Sequence, residues 1–210
     1  MELIGMLDSP YVRRVAVSLQ FLGIPFGHRS VSVFRTFDEF RAINPVVKAP
    51  TLICDDGTLL MDSTLILEYA ESLAGPDRSL TPRSIPERQA ALRIIGLALA
   101  ACEKSVQIIY ERNLRPADKQ HQPWISRVTG QLLAAYGGLE SELARKPLSL
   151  QPVNQAGITT AVAWYFTQMM LPELLDAATF PALQKLSARA EQLPQFMAAP
   201  HGSSTYGKTA

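Results

Sequence analysis

Apolar and polar positions over the first eighty residues alternate in short blocks. Leu3 to Leu7 is a brief apolar run that predicts a strand. Val12–Leu22 follows with Val15, Leu19 and Leu22 on one helical face, and Gly23-Ile24-Pro25 stops it. Phe26–Val33 predicts a second strand. Phe37–Ile43 predicts a short helix ending before Asn44-Pro45, because a residue that precedes proline avoids helical angles. Two short apolar runs, Pro50–Ile53 and Leu59–Met61, flank Asp55-Asp56-Gly57, and an Asp-Gly pair supplies the positive φ angles of a tight hairpin turn. Ser63–Leu73 then reads as a helix, giving the order β-α-β-α-β-β-α.

The pattern changes at Leu80–Pro86, where Pro76, Pro82 and Pro86 bracket polar residues and mark a domain boundary. Beyond it every periodic segment is helical: Glu87–Arg112, Trp124–Arg145 with Gly137-Gly138 inside it, the strongly apolar Ala156–Met170, and Phe180–Glu191. The expected organisation is an α/β domain over residues 1–76, a linker over 77–85 and an all-helical domain over 86–210. The stretch from Pro200 to Ala210 is rich in Gly, Ser and Thr and is expected to be loose.

Composition narrows the functional classes. A chain of 210 residues that is 47% apolar and 19% charged, with a formal net charge of +1, has no general drive toward nucleic acid or anionic membrane. No run reaches the length of a spanning helix, and Met-Glu-Leu-Ile-Gly lacks the start of a secretory signal. Cys54 and Cys102 form no spaced motif, which fits a reducing cytoplasm. His28, His121 and His201 are scattered, so no metal site is expected.

Candidate chemistry begins at Ser9-Pro10-Tyr11. Serine caps a helix well and proline suits the first helical position, so Ser9 opens the first helix. A strand that delivers a hydroxyl to a helix N-terminus also builds a place for an anion. Two further motifs stand in order behind it. Asn44-Pro45-Val46-Val47-Lys48-Ala49-Pro50 leads the third strand, and Asp62-Ser63 leads the third helix. With the helical half that follows, these motifs resemble the cytosolic glutathione S-transferases, in which a thioredoxin-like N-terminal domain precedes an all-helical C-terminal domain carrying a wall of the electrophile pocket. The Ser-Pro-Tyr arrangement is most similar to the plant tau-type and related bacterial branches. The omega-type relatives have cysteine where Ser9 stands, so the resemblance implies no protein-thiol mechanism.

The resemblance implies a role for each motif. Ser9 would stabilise the glutathione thiolate by a hydrogen bond, without abstracting its proton. Pro50 would be cis, turning the backbone of Ala49 toward the peptide's cysteine as an added strand does. Ser63 would cap the third helix and bind the γ-glutamyl carboxylate. Asp62 would meet the γ-glutamyl ammonium and Lys48 the glycyl carboxylate. Tyr11, Tyr110 and Trp164 are candidates for the electrophile pocket, against the plainer expectation of core packing. Arg13 is expected to be structural, and Phe34 and Arg35 to edge the site. Glutathione would be a co-substrate of a detoxifying transferase with side activity on peroxides, with no permanently bound cofactor. The protein would be a homodimer. The alternative is a non-catalytic binding protein of the stringent starvation protein A type. One departure from the family stands at the buried helix, where Asn154-Gln155-Ala156-Gly157 replaces a reciprocal cap. Asn154 can cap, but Gly157 cannot return the bond.

Overall fold

The computed structural model describes residues 1–206 and divides the chain into two compact units. The first comprises Met1–Thr81 together with the stretch from Glu191 onward; the second comprises Pro82–Ala190. The division falls inside the proline-rich stretch. The expected assignment of everything after residue 86 to the helical domain is corrected, because the C-terminal stretch packs with the first unit.

In the first unit, β1 (Glu2–Ile4), β2 (Gly27–Arg29), β3 (Thr51–Ile53) and β4 (Leu59–Met61) form one mixed sheet in the order β2-β1-β3-β4. β1 runs parallel to β2 and antiparallel to β3, and β3 and β4 form a hairpin. Helices α1 (Pro10–Phe21), α2 (Phe37–Ile43) and α3 (Ser63–Ala74) complete the thioredoxin-like pattern. Helix α1 ends at Gly23, with φ of 68°, where the Ile24 N–H reaches Leu19 O and the Gly23 N–H reaches Gln20 O. That pair of bonds satisfies the last carbonyls of the helix. In the hairpin only Gly57 takes a positive φ, 85°, so the turn is the three-residue form with a bulge.

Strand β2 is shorter than the sequence pattern predicts. The Val31 N–H bonds back to Arg29 O, and the Ser32 hydroxyl accepts from the N–H groups of Phe34 and Arg35. Side-chain bonding at Ser32 thus turns the chain before Val33 can join a strand.

The C-terminal stretch is not loose. Arg13, only 1% exposed, donates to both carboxylate oxygens of Glu191 at 2.7 and 2.6 Å and to Ala199 O at 2.8 Å. Its guanidinium also lies 5.7 Å from the ring centre of Phe196 in α8 (Pro194–Met197). Further along, Ser30 Oγ donates to Ser203 O, and the Tyr206 ring stacks on Phe26 at 4.6 Å. The Tyr206 N–H donates to His28 Nδ1 at 2.8 Å, while His28 Nε2 lies 2.7 Å from Gly5 O. A backbone N–H only donates and a carbonyl only accepts. His28 is therefore neutral, with its proton on Nε2. Gly207 to Ala210 lie outside the described residues.

The second unit is all-helical: α4 (Ile85–Leu114), α5 (Gln122–Arg145), α6 (Gln155–Met170) and α7 (Pro181–Ala190), with short 3-10 turns between them. Its centre is Tyr136, whose hydroxyl donates to Ala163 O at 2.9 Å and pairs with Thr167 Oγ1 at 2.7 Å; Ser105 Oγ pairs with the same Thr167 oxygen. A Cβ at Gly138 would come within 3.3 Å of the Leu97 methyl groups, so this glycine serves the close approach of α5 to α4 inside an unbroken helix. Nothing crowds Gly137. Asn154 caps α6 by accepting from the Gly157 N–H at 3.0 Å.

Two outcomes are expected. A Cβ at Gly157 would meet its neighbours only at ordinary contact distances, 3.7 Å and beyond. Gly157→Asp restores the reciprocal cap and removes a helical glycine, and should raise the melting temperature by about 2–4 °C. An unchanged or lower value would disprove the cap argument. Burial pushes the His28 imidazole below its ordinary 6.5, against upward pulls from Gly5 O and Glu2. The stability it contributes is present above pH 6.5 and is lost as pH falls below that toward the depressed folded value. Hydrogen exchange at the Tyr206 amide, corrected for intrinsic rate, should accelerate over that window in the native protein and should be pH-independent in His28→Gln.

Candidate functional site

The sheet register fixes where the three motifs meet. Ile4 pairs with Thr51, and Thr51 pairs with Met61. The turn after β1, the loop before β3 and the start of α3 therefore lie at one end of the sheet, and both α1 and α3 begin there. Gly5 brings the first two together: a Cβ on it would lie 3.2 Å from the Ala49 Cβ and 2.7 Å from a Val12 methyl. With φ of 134° as well, this position excludes a side chain.

Ser9 is the N-cap of α1. Its Oγ accepts from the Val12 N–H at 3.4 Å, and Pro10 occupies the first turn. Capping uses the hydroxyl as an acceptor and leaves its proton available to donate. Asp8 precedes it, half-buried. Burial pushes its carboxyl above the ordinary carboxylate range, against opposing pulls from His201 and Arg35.

The loop before β3 is held by a buried amide. Asn44, 2% exposed, donates to Thr51 Oγ1 at 2.8 Å and accepts from the Val46 N–H at 3.0 Å; Thr51 Oγ1 in turn donates to Lys48 O at 2.8 Å. The Ala49-Pro50 bond is cis. Among the described residues, neither the N–H nor the C=O of Ala49 takes part in a turn or loop hydrogen bond. Val47 and Asp62, with φ of 52° and 74°, are the non-glycine residues in the left-handed region among those described. Both flank this end of the sheet, where such strain is commonly tolerated for function.

At α3 the expectation is corrected in one respect: Asp62 is the cap, not Ser63. Asp62 Oδ1 accepts from the Thr64 N–H at 2.9 Å, while Oδ2 lies 3.4 Å from Lys48 Nζ. An aspartate at this turn reaches the second N–H of the helix, which leaves serine as the first helical residue. Burial raises the Asp62 carboxyl, but the Thr64 N–H and the Lys48 ammonium outweigh it and hold the group below its ordinary value. Ser63 is 4% exposed, and its Oγ accepts from Arg14 Nη1 at 3.0 Å.

The structure thus gathers Ser9, Lys48, Ala49, Pro50, Asp62 and Ser63 at one end of the sheet. Tyr11 stands half-buried on the first turn of α1, and Tyr110 is exposed on α4. Trp164 is corrected to a core residue: it is 3% exposed and packs edge-on against Tyr136 at 5.2 Å, with Phe180 on it at 5.5 Å. Phe34 and Arg35 lie on the exposed Ser32–Thr36 turn, not at a strand end; Arg35 Nη2 contacts Met6 Sδ at 3.3 Å. Sequence reasoning missed Asn44 and Arg14. For Arg14 the signal was a second arginine among the apolar residues of the first helix.

Among the described residues, no three His, Cys, Asp or Glu side chains lie together as a metal site, and no helix is long and apolar enough to cross a membrane. A mixed four-stranded sheet with two helix N-termini at one end, joined to an all-helical unit, is a thioredoxin-like fold with a helical partner. Residues 3–78 match the family model described as glutathione S-transferase, N-terminal domain. A glutathione S-transferase from Methylobacterium radiotolerans, in complex with glutathione sulfonate, superposes with a TM-score of 0.86 at 25% identity, over 100% of this chain and 99% of its own. A glutathione transferase family member from Pseudomonas fluorescens Pf-5, with bound S-(propanoic acid)-glutathione, gives 0.79 at 27% identity over 95% and 98%. The uncharacterized GST-like protein YibF of Escherichia coli K12 is 28% identical over 163 residues, 78% of this chain and 80% of its own. The first unit thus matches the glutathione S-transferase N-terminal domain by sequence, and the whole chain has the fold of these glutathione transferases.

The Lys48–Asp62 pair has a direct readout. Stability from the Asp62 carboxylate is complete above 3.8 and is lost as pH falls through its depressed folded value. Lys48→Ala should bring the Asp62 carboxyl back up toward 3.8 in a carbon NMR titration; an unmoved value would assign the depression to the Thr64 N–H alone.

Proposed function

We propose that this protein is a glutathione transferase that binds glutathione at the end of the sheet and stabilises its thiolate for attack on a small electrophile. One observation carries the reading: the backbone edge of Ala49, without a loop hydrogen bond, lies at the sheet end where the N-termini of α1 and α3 begin. Ala49 pairs with the backbone of the glutathione cysteine. Ser63 and the first turn of α3 receive the γ-glutamyl carboxylate. Asp62 takes the γ-glutamyl ammonium, and Lys48 leaves Asp62 for the glycyl carboxylate. The relatives from Methylobacterium and Pseudomonas, bound to glutathione sulfonate and to S-(propanoic acid)-glutathione, support a site for glutathione in this fold.

The thiol then falls at the start of α1. The Ser9 O–H donates to the thiolate while Ser9 Oγ keeps its bond from the Val12 N–H. Capping and catalysis are compatible because one uses a lone pair and the other the proton. The hydroxyl and the helix end favour the anion and lower the thiol pKa. Sulfur forms a bond to the electrophilic carbon, and the leaving group departs with the bonding pair. Tyr11, beside Ser9, is the nearest candidate contact for the electrophile, and peroxides are candidate side substrates. The reading includes a cytoplasmic, detoxifying homodimer; exposed Leu65 and Leu73 on α3, and Ile85 and Leu92 on α4, support self-association.

Retention on immobilised glutathione tests binding. Ser9→Ala should then lower kcat/KM for a conjugation reaction by about 10- to 100-fold, the worth of one charge-assisted hydrogen bond. It should raise the pKa of the bound thiol by about one to two units, read by ultraviolet titration of the thiolate. A normal rate with an unshifted thiol pKa removes Ser9 from the mechanism. Binding without turnover in the native protein favours the non-catalytic alternative.

A further inference from the structure

We infer that Arg14 is a positioning residue that sets the Ser63 hydroxyl to donate, and so selects a carboxylate at the γ-glutamyl end of the ligand. The inference rests on the glutathione reading and adds to it the residue that makes this subsite specific for an anion.

Arg14 is 3% exposed on α1 and reaches across to the start of α3. Its Nη1 lies 3.0 Å from Ser63 Oγ and 3.2 Å from Thr64 Oγ1. A guanidinium donates and never accepts, so each contact consumes a lone pair on a hydroxyl. A serine hydroxyl that accepts from Arg14 must direct its single proton elsewhere. Among the described residues no acceptor takes that proton, and the Asp62 carboxylate beside it is engaged by the Thr64 N–H and by Lys48. Ser63 is also the first residue of α3, where a backbone N–H has no partner within the helix. The Ser63 N–H and O–H therefore form a two-donor grip on one face, with a fixed positive charge behind the hydroxyl. Two donors suit the two oxygens of a carboxylate.

A ligand bearing a carboxamide there sets an NH2 group against one of these donors and brings no negative charge to Arg14. Such a mismatch of buried polar groups is the usual source of strong discrimination. Without Arg14 the Ser63 hydroxyl can rotate and accept, and the preference disappears. Ser9, at the other end of the peptide, is untouched by that change.

The experiment measures KM and kcat for glutathione and for its analogue amidated at the γ-glutamyl α-carboxylate, with native protein, Arg14→Gln, Arg14→Lys and Ser63→Ala. Native protein should prefer the carboxylate by about 10- to 100-fold in KM. Arg14→Gln should raise KM for glutathione by about the same factor while leaving the amide nearly unchanged. Its kcat at saturating glutathione and the pKa of the bound thiol should stay near native values. Arg14→Lys should restore part of the preference. Because a buried arginine can be needed for folding, Ser63→Ala gives an independent arm: it should remove the same preference, and the double variant should lose little more. An unchanged KM in Arg14→Gln, or an equal loss for both ligands, overturns the inference while the glutathione reading stands. A native protein that binds neither ligand overturns both. Native protein that binds both ligands equally overturns the inference alone.

Discussion

The first unit is organised around a buried guanidinium that cannot be left unpaired. Arg13 lies in a helix whose residues from Val12 to Leu19 are all buried, so its donors must find acceptors within the protein. They find Glu191 and Ala199, almost two hundred residues further along the chain. Removing one partner from such a pair typically costs about 3–5 kcal/mol, because the remaining charge stays buried. This requirement draws the C-terminal stretch onto α1 and fixes the helix. The position of α1 in turn fixes Ser9 at its start and Arg14 one residue further on.

Arg13 and Arg14 divide the work of α1. Neighbouring residues on a helix point about 100° apart, so two consecutive arginines serve two different elements. Arg13 faces the C-terminal stretch, and Arg14 faces α3. One helix thereby links the part of the site that would hold sulfur to the part that would hold the γ-glutamyl end. Asn44 does the corresponding work beneath the cis-proline loop, where a single side-chain amide supports Thr51 and Val46. The groups offered to a ligand are mostly backbone and hydroxyl, and the charges that orient them are buried behind.

Much of this was legible in the chain because it is written in local chemistry. Serine before proline declares a cap, Asp-Gly a turn, and alternating apolar blocks the element order. The cis-proline and the Asp62-Ser63 pair stood in motifs short enough to recognise. What could not be read depends on partners distant in sequence or on side chains competing with backbone. The C-terminal stretch has the composition of a loose tail, yet His28 and Phe26 hold it, and nothing local to Tyr206 announces either. Strand β2 stops early because the Ser32 hydroxyl captures two backbone donors. The sequence places Asp62 and Ser63 at the right turn but assigns the cap to Ser63, since either side chain can cap and only the backbone angle at Asp62 decides. Trp164 has the look of a site aromatic, and only its packing against Tyr136 shows that it belongs to the core.

The return of the C-terminal stretch to the first unit has a consequence for how the protein is made. A ribosome completes Met1–Thr81, then the whole helical unit, and only afterwards the residues that pair with Arg13 and His28. Domains on a growing chain generally fold in the order in which they emerge. Here the unit synthesised first is the one finished last. Until Glu191 leaves the exit tunnel, the two-bond pairing of its carboxylate with Arg13 cannot form. The helical unit, whose sequence is continuous, faces no such delay and can serve as the first stable body of the nascent protein.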